Sequence, residues 1–224
     1  MNQLELLDKR RHVRQWQEEY PEKSVIESVL WKAWKVSPSK QNFMPYTVTV
    51  LGPDKAKEKE LVWGLSRKNK KHVNESHKEG WEEPAINPDY DYIKTAPYVV
   101  IFSQRAPCKP NQFIEYLLSI RYDHYEQMHD TEEELKAILK TSAIETGIFA
   151  ANLTAFCIEA GIDTSYTLCF PSSVDKWKDI PIITHNPLLI MGLGYCKLSR
   201  RESMDPRMSA LDMKPESEEI IKWL

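Results

Sequence analysis

Three arginines near the start of the chain have the spacing of an anion-binding cluster. Arg10, Arg11 and Arg14 follow a short amphipathic helix predicted over residues 3–9. A guanidinium can bind phosphate oxygens through two parallel hydrogen bonds, so this cluster could hold a phosphate group. The alternative is a solvated basic face, offset by the acidic residues at 18–19. Taken alone, the cluster favours that alternative.

A second segment, residues 38–46, combines rigid and polar residues. Its prolines fix backbone torsions. Ser39 and Asn42 supply short polar groups that can bond a ligand or the nearby backbone. Such a loop suits the edge of a planar heterocycle. A plain helix-to-strand connection, with Asn42 bonded to its own backbone, is the alternative that the segment alone favours.

A third segment, residues 160–171, runs from an apolar helix through a strand into a turn. Cys169 is the one side chain of the segment that could titrate usefully. The segment would therefore contribute mainly backbone N–H groups and apolar surface to a site. Four of the six histidines fall in two pairs five residues apart, 72 with 77 and 124 with 129, which does not align them on a helical face. No metal site is predicted. With seven glycines and no glycine-rich phosphate motif, a phosphate-cradling loop is not expected.

Composition bounds the class of protein. The 224 residues are 42% hydrophobic and 28% charged, which is typical of a globular chain rather than a disordered one. The net charge of −3 argues against a dedicated nucleic-acid binder. Four widely spaced cysteines predict free thiols. No signal peptide is expected. No membrane span is expected either, because the longest apolar stretch, near 187–195, is too short to cross a bilayer. We expect a cytoplasmic protein.

Periodicity predicts the elements that would position these segments. Helices alternate with about four strands, which predicts an α+β or α/β class in one domain. The basic run at 67–71 is expected to be the solvent-exposed end of a helix. The alternative is a lid that contacts a ligand. Helices are predicted at 22–36, from 55, at 112–128, 132–160 and 216–223; strands at 46–51, 97–103, 164–168 and 188–193; and a long loop at 72–95.

In order and spacing, these segments resemble the nitroreductase family. The resemblance lies in the residue runs R-R-H-V-R-Q-W at 10–16, P-S-K-Q-N-F-M-P-Y at 38–46, E-T-G-I-F-A-A-N-L at 145–153 and G-L-G-Y at 192–195, followed by two arginines. It spans nearly the whole chain.

The resemblance implies an α+β, three-layer α/β/α sandwich. Its central, mostly antiparallel sheet would have four to five strands, and the long central helix would lie at a dimer interface with Trp31 and Trp34. Residues 1–224 would form a single domain, in which residues 196–224 are a C-terminal extension that wraps the partner subunit.

The resemblance also implies FMN as cofactor and NADH or NADPH as co-substrate. Family members are homodimers with an FMN site at each end of the subunit interface. The electrons would pass by a ping-pong scheme to a small aromatic, nitro, quinone or flavin acceptor, with no obligatory catalytic side chain. A basic residue, Lys68 or Lys71, would supply charge near the flavin. The residues that would bind FMN are Arg10, Arg11, His12, Arg14, Pro38, Ser39, Lys40, Asn42, Tyr166, Leu168, Cys169, Arg200 and Arg201.

The chain departs from the family pattern at several of these positions. His12 stands where serine is common, Met44 replaces glutamine, Tyr46 replaces tryptophan, and Cys169 stands where glycine is frequent. Two other readings therefore stay open. One is a flavin-binding protein without turnover, and the other is a flavin destructase or dehalogenase type of the same superfamily.

Overall fold

The structure is a computed structural model, and it describes residues 8–74, 92–105, 132–199 and 215–222, together with residues 5, 116 and 120. Its strands are β1 (Val13–Trp16), β2 (Tyr46–Leu51), β3 (Tyr98–Gln104), β4 (Asp163–Thr167), β5 (Pro187–Gly194) and β6 (Cys196–Ser199). Its helices are α1 (Lys23–Val36), α2 (Ala56–Asn74), α3 (Glu132–Glu159) and the short α4 (Ser217–Ile220), with 3₁₀ turns at Lys40–Asn42 and Val174–Trp177.

Four strands form a fully antiparallel sheet in the order β2-β3-β5-β4. The central strand β3 is apolar on both faces because helices cover both. Val100 and Phe102 belong to the core cluster that contains α1 and α3, while Val99 and Ile101 belong to the cluster that contains α2 and Trp177. The result is the α+β arrangement of three layers, helix on sheet on helix, that the resemblance implied.

Most of the predicted elements are confirmed within the described residues. The strand at 46–51 matches β2 residue for residue, and α1, α3, β3, β4 and β5 lie within about two residues of their predicted bounds. The predicted loop at 72–95 is wrong at its start, because α2 continues through Asn74. Of the predicted helix at 112–128, residues 116 and 120 are helical and the remainder lies outside the described residues.

Two short strands were missed by the sequence analysis. β1 and β6 pair antiparallel in a second, two-stranded sheet, and an isolated parallel bridge joins His12 to Thr164 of β4. The first four residues of the predicted C-terminal extension therefore pair with a strand of their own chain. Each strand has four residues and carries polar side chains, which is too short for an alternating pattern to stand out.

One helix among the described residues, Lys140–Glu159 within α3, is long and apolar enough to cross a membrane by length and composition alone. The core helix of a globular domain passes the same test. Here 44% of that window is buried inside the fold, and Phe149 and Leu153 belong to the core under the sheet.

Gly192 of β5 tests how closely the two sheets approach. A Cβ at this position would lie 2.7 Å from Ser165 Oγ and 2.8 Å from Trp16 Cζ2. We expect Gly192→Ala to lower the free energy of unfolding by about 1–3 kcal/mol, because overpacking forces neighbours to move. Gly64→Ala is the matched control: nothing lies within 4 Å of its Cβ position, so stability should hold or rise. Urea denaturation checks both, and equal effects would contradict the packing described.

Candidate functional site

The basic cluster lies along the outer edge of the main sheet. Arg10 and Arg11 are exposed, while His12 and Arg14 are half-buried. Their neighbour is β4, reached through the bridge from His12. The pKa shifts of two residues of β4 agree with this placement. Burial raises the pKa of Tyr166 and that of Asp163, and the charges of Arg10 and Arg11, respectively, oppose those two shifts.

A buried tyrosine holds the half-buried members of the cluster. The edge of the His12 ring meets Tyr92 at a centroid distance of 5.4 Å, and the Arg14 guanidinium lies 5.4 Å from the centre of the same ring. Trp16 Nε1 donates to Tyr92 O at 2.7 Å, and the Tyr92 hydroxyl donates to Tyr166 O at 3.5 Å. Tyr92 therefore fixes β1 against β4.

The end of β4 presents apolar surface and a thiol. Leu168 is 70% exposed, and Cys169 is exposed beside it. The N–H of Cys169 donates to Thr167 Oγ1 at 3.1 Å. The phenol of Tyr166 contacts Thr154 Oγ1 and donates to Ala150 O at 3.0 Å, so it is bonded to α3.

The polar loop between α1 and β2 adopts an unusual backbone. Asn42 has φ +56° and Met44 has φ +45°, the left-handed region that costs most residues free energy. The loop is tied within itself, since Met44 N–H donates to Ser39 Oγ at 2.8 Å. Pro38, Lys40 and Asn42 are exposed, so their side chains remain accessible.

Side chains of α3 and β3 hold this loop in place. Lys40 N–H donates to Glu145 Oε1 at 2.8 Å, and Ser142 Oγ donates to Pro45 O at 3.0 Å. Arg105 donates to the carbonyl of Phe43 from its side chain and to that of Pro45 from its backbone. Burial, and after it the charge of Glu145, raises the pKa of Tyr46 to about 12. Tyr46 is the last residue of the loop and the first of β2.

The sequence analysis assigned no role to Tyr92, Arg105 or Glu145. Tyr92 and Arg105 lie beside stretches without hydrophobic periodicity, and no local sequence pattern distinguishes them. Glu145 had a signal that could have found it, because a carboxylate inside an apolar helical run is expected to have a partner.

The structure brings together some of the predicted site residues. Arg10, Arg11, His12 and Arg14 lie beside β4, and α3 bonds both to Tyr166 of that strand and to the loop at 38–46. Arg200 and Arg201 lie outside the described residues, and Lys68 and Lys71 are in the last turns of α2.

An apolar face of α1 and α3 is exposed in the part of the chain that the structure describes. Trp31 and Trp34 are each more than half exposed on α1, and Ile144 and Ile148 are exposed on α3. Between the two isoleucines is Gly147, whose Cβ position has nothing within 4 Å. Exposed apolar side chains on two packed helices mark a candidate interaction site.

A sequence profile of the Nitroreductase family matches residues 7–195. The chain belongs to the nitroreductase family. The match includes β1, the loop at 38–46, α3, and the turn after β4, which are the segments that form the candidate site.

Solved structures agree on the fold. A Staphylococcus epidermidis protein provisionally described as an NAD(P)H:FMN oxidoreductase has a TM-score of 0.68 at 15% identity, covering 100% of this chain and 96% of its own. A nitroreductase family protein from Streptococcus pneumoniae has a TM-score of 0.64 at 16% identity, with 100% of both chains covered. A protein from Exiguobacterium sibiricum, provisionally described as a nitroreductase and solved in complex with FMN, has a TM-score of 0.61 at 15% identity, covering 94% of this chain and 96% of its own.

None of the curated proteins compared with this chain matches its sequence significantly. At identities near 15%, the solved structures show the fold alone. The nitroreductase family is flavin-dependent, so membership indicates a flavin oxidoreductase. The individual residue roles are proposals for this chain.

Asn42 provides a test of the loop geometry. Its φ of +56° is tolerated best by glycine and next by asparagine. We expect Asn42→Ala to lower the free energy of unfolding by about 1 kcal/mol, while Asn42→Gly leaves it unchanged or raises it. Thermal and urea denaturation of both variants measure this. An alanine variant as stable as the glycine variant would show that residue 42 is not left-handed.

Proposed function

We propose that this chain is an FMN-dependent NAD(P)H oxidoreductase. It would take hydride from NADH or NADPH and pass it to a small aromatic, nitro, quinone or flavin acceptor in a ping-pong cycle. One observation carries the proposal: the segment with Arg10, Arg11 and Arg14 is bridged at His12 to Thr164 of β4, the strand that runs into the exposed Leu168. Membership of the family and the shared fold support it.

The donor set present in the chain fits FMN. A phosphate needs cationic donors, which Arg10 and Arg11 supply from an exposed position. A flat ring needs apolar contact, which Leu168 offers, and polar groups at its edge, which the loop at 38–42 offers. These side chains are accessible without unfolding any described element.

Each segment then has a defined task. Arg10, Arg11 and Arg14 would bind the phosphate, joined by Arg200 or Arg201. Pro38, Ser39, Lys40 and Asn42 would line the ring in the partner subunit's site, while Tyr166, Leu168 and Cys169 cover its other face. His12 would act through its contact with Tyr92, which steadies the strand that carries the arginines. The bound FMN supplies reversible hydride chemistry, and the protein binds, orients and shields it.

The uncovered apolar face supports a homodimer. Trp31, Trp34, Ile144 and Ile148 would be removed from water by a second copy of the chain, and Gly147 would allow close approach of its backbone. The same assembly would bring the loop of one subunit to the arginines of the other. We place the protein in the cytoplasm because Cys157 and Cys169 are free thiols, as a reducing compartment favours.

A second candidate function is flavin binding without turnover. The observation that favours it is the hydrogen bond from Cys169 N–H to Thr167 Oγ1. A backbone N–H directed at flavin N5 would stabilise the charge that develops on reduction, and this donor is already bonded within the chain. The two functions differ in one measurement, since a binding protein would not oxidise NADH or NADPH above background.

Replacing the exposed arginines tests the phosphate site. We expect Arg10→Ala and Arg11→Ala each to weaken FMN binding at least about tenfold, because a hydrogen bond to a charged group contributes about 1.5–3 kcal/mol. Quenching of FMN fluorescence on titration with protein measures the affinity. Lys23→Ala is the control, since it removes an exposed cation from α1.

Anaerobic addition of NADH or NADPH decides between the two functions. Wild-type protein with bound FMN should lose its yellow absorbance when NADH or NADPH is added without oxygen. Retained colour with both nicotinamides would favour the binding function. Unchanged FMN affinity in both arginine variants would place the phosphate elsewhere.

Gly147→Leu tests the dimer. Within one chain the new side chain meets open space, so we expect the variant to fold, while a partner on this face would be forced away. Light scattering should give two chains for wild type and a shift towards one chain for the variant. Gly64→Leu introduces the same side chain at an equally open glycine on α2 and should stay dimeric. A monomeric wild type would rule out the interface.

A further inference from the structure

Helix α3 carries a buried carboxylate directly beneath the polar loop. Glu145 is 5% exposed, and its Oε1 accepts the backbone N–H of Lys40 at 2.8 Å, across 105 residues of sequence. Its Oε2 is buried and has no hydrogen-bond partner among the described residues. Removing a carboxylate from water is costly, so this group is expected to serve a purpose that its surroundings reveal.

The fold itself gains little from that carboxylate. Breaking one partner of a buried charged contact is destabilising, but an apolar side chain of similar volume at such a site is often neutral or stabilising. Around Glu145, α3 packs into an apolar core that includes Phe149 and Ala150. A leucine would suit that core. General stability therefore does not account for a glutamate here, whereas its bond to the loop does.

The loop needs external support because its backbone is strained. Asn42 and Met44 both have positive φ, and neither is glycine. The second half of the loop is held by Ser142 and Arg105, which bond the carbonyls of Phe43 and Pro45. Among the described contacts, the first half, from Ser39 to Asn42, is held to the rest of the protein by Glu145 alone.

We propose that Glu145 is a positioning residue that fixes residues 39–42 in their ligand-binding conformation and thereby sets the affinity for FMN. This inference rests on the proposed function. Glu145 acts through the backbone of Lys40, which orients the exposed Lys40 and Asn42 side chains. It needs only an acceptor oxygen at the place of Oε1, so an amide should largely replace it.

Three variants separate positioning from a general effect on the fold. Glu145→Gln keeps an acceptor and nearly the same volume. Glu145→Leu keeps the volume and removes the acceptor. Thr146→Val is the matched control: it lies next along α3, is equally buried, and its hydroxyl has no hydrogen-bond partner among the described residues. Circular dichroism and thermal melting establish that each variant is folded.

Two measurements are made on each protein. Hydrogen exchange of residues 39–45 is followed without added FMN, and the FMN dissociation constant is measured by fluorescence titration. For Glu145→Leu we expect exchange at the Lys40 amide to rise and FMN binding to weaken, each by about tenfold or more, since a charge-assisted hydrogen bond is lost. For Glu145→Gln both should stay within about threefold of wild type, because an acceptor remains. Thr146→Val should change neither.

The outcomes are distinguishable. A folded Glu145→Leu variant with wild-type exchange or wild-type FMN affinity would overturn the inference, as would a glutamine variant as impaired as the leucine variant. Wild-type protein that binds no FMN would instead overturn the proposed function. The exchange data on the same variants would still decide whether Glu145 holds the loop.

Discussion

Helix α3 is the element on which both halves of the candidate site depend. Its apolar face packs under the sheet through Phe149 and Leu153, and this burial fixes its position. From that position it bonds the loop before β2 through Glu145 and the end of β4 through Thr154 and the Ala150 carbonyl. Because the bonded groups lie within about three turns of one rigid rod, the loop and the turn are held at a fixed separation.

Local patterns in the sequence predicted most of the fold. The alternation of β-branched residues in Tyr46–Leu51 and the three- and four-residue spacing in Lys23–Val36 each reflect one apolar face packed on the core. Strands β1 and β6 escaped prediction because they are held by each other and by β4 rather than by their own composition. Their stability is a property of pairing between distant segments.

The same distinction applies to the site. Residue types and spacing made the arginines and the loop at 38–46 candidates, and the resemblance to the family then favoured a binding role over the alternatives that each segment left open. The contacts that hold these residues in place could not be predicted from the neighbouring sequence. Tyr92 meets Trp16 across 76 residues, and Glu145 meets Lys40 across 105. Such contacts become visible only when the chain has folded.

A flavin site needs affinity for the cofactor and reactivity. On the proposed function, the loop before β2 would serve the first property and the backbone at the end of β4 the second. On the proposed function, affinity would depend on the arginines and on a loop that α3 holds in a strained conformation. Reactivity depends on groups that favour the negative charge placed on the ring by reduction. In this chain the Cys169 N–H is bonded to Thr167 Oγ1, so such stabilisation must come from another donor or require that bond to open. On the proposed function, substitutions at Glu145 would therefore act mainly on affinity and substitutions at Thr167 mainly on reactivity.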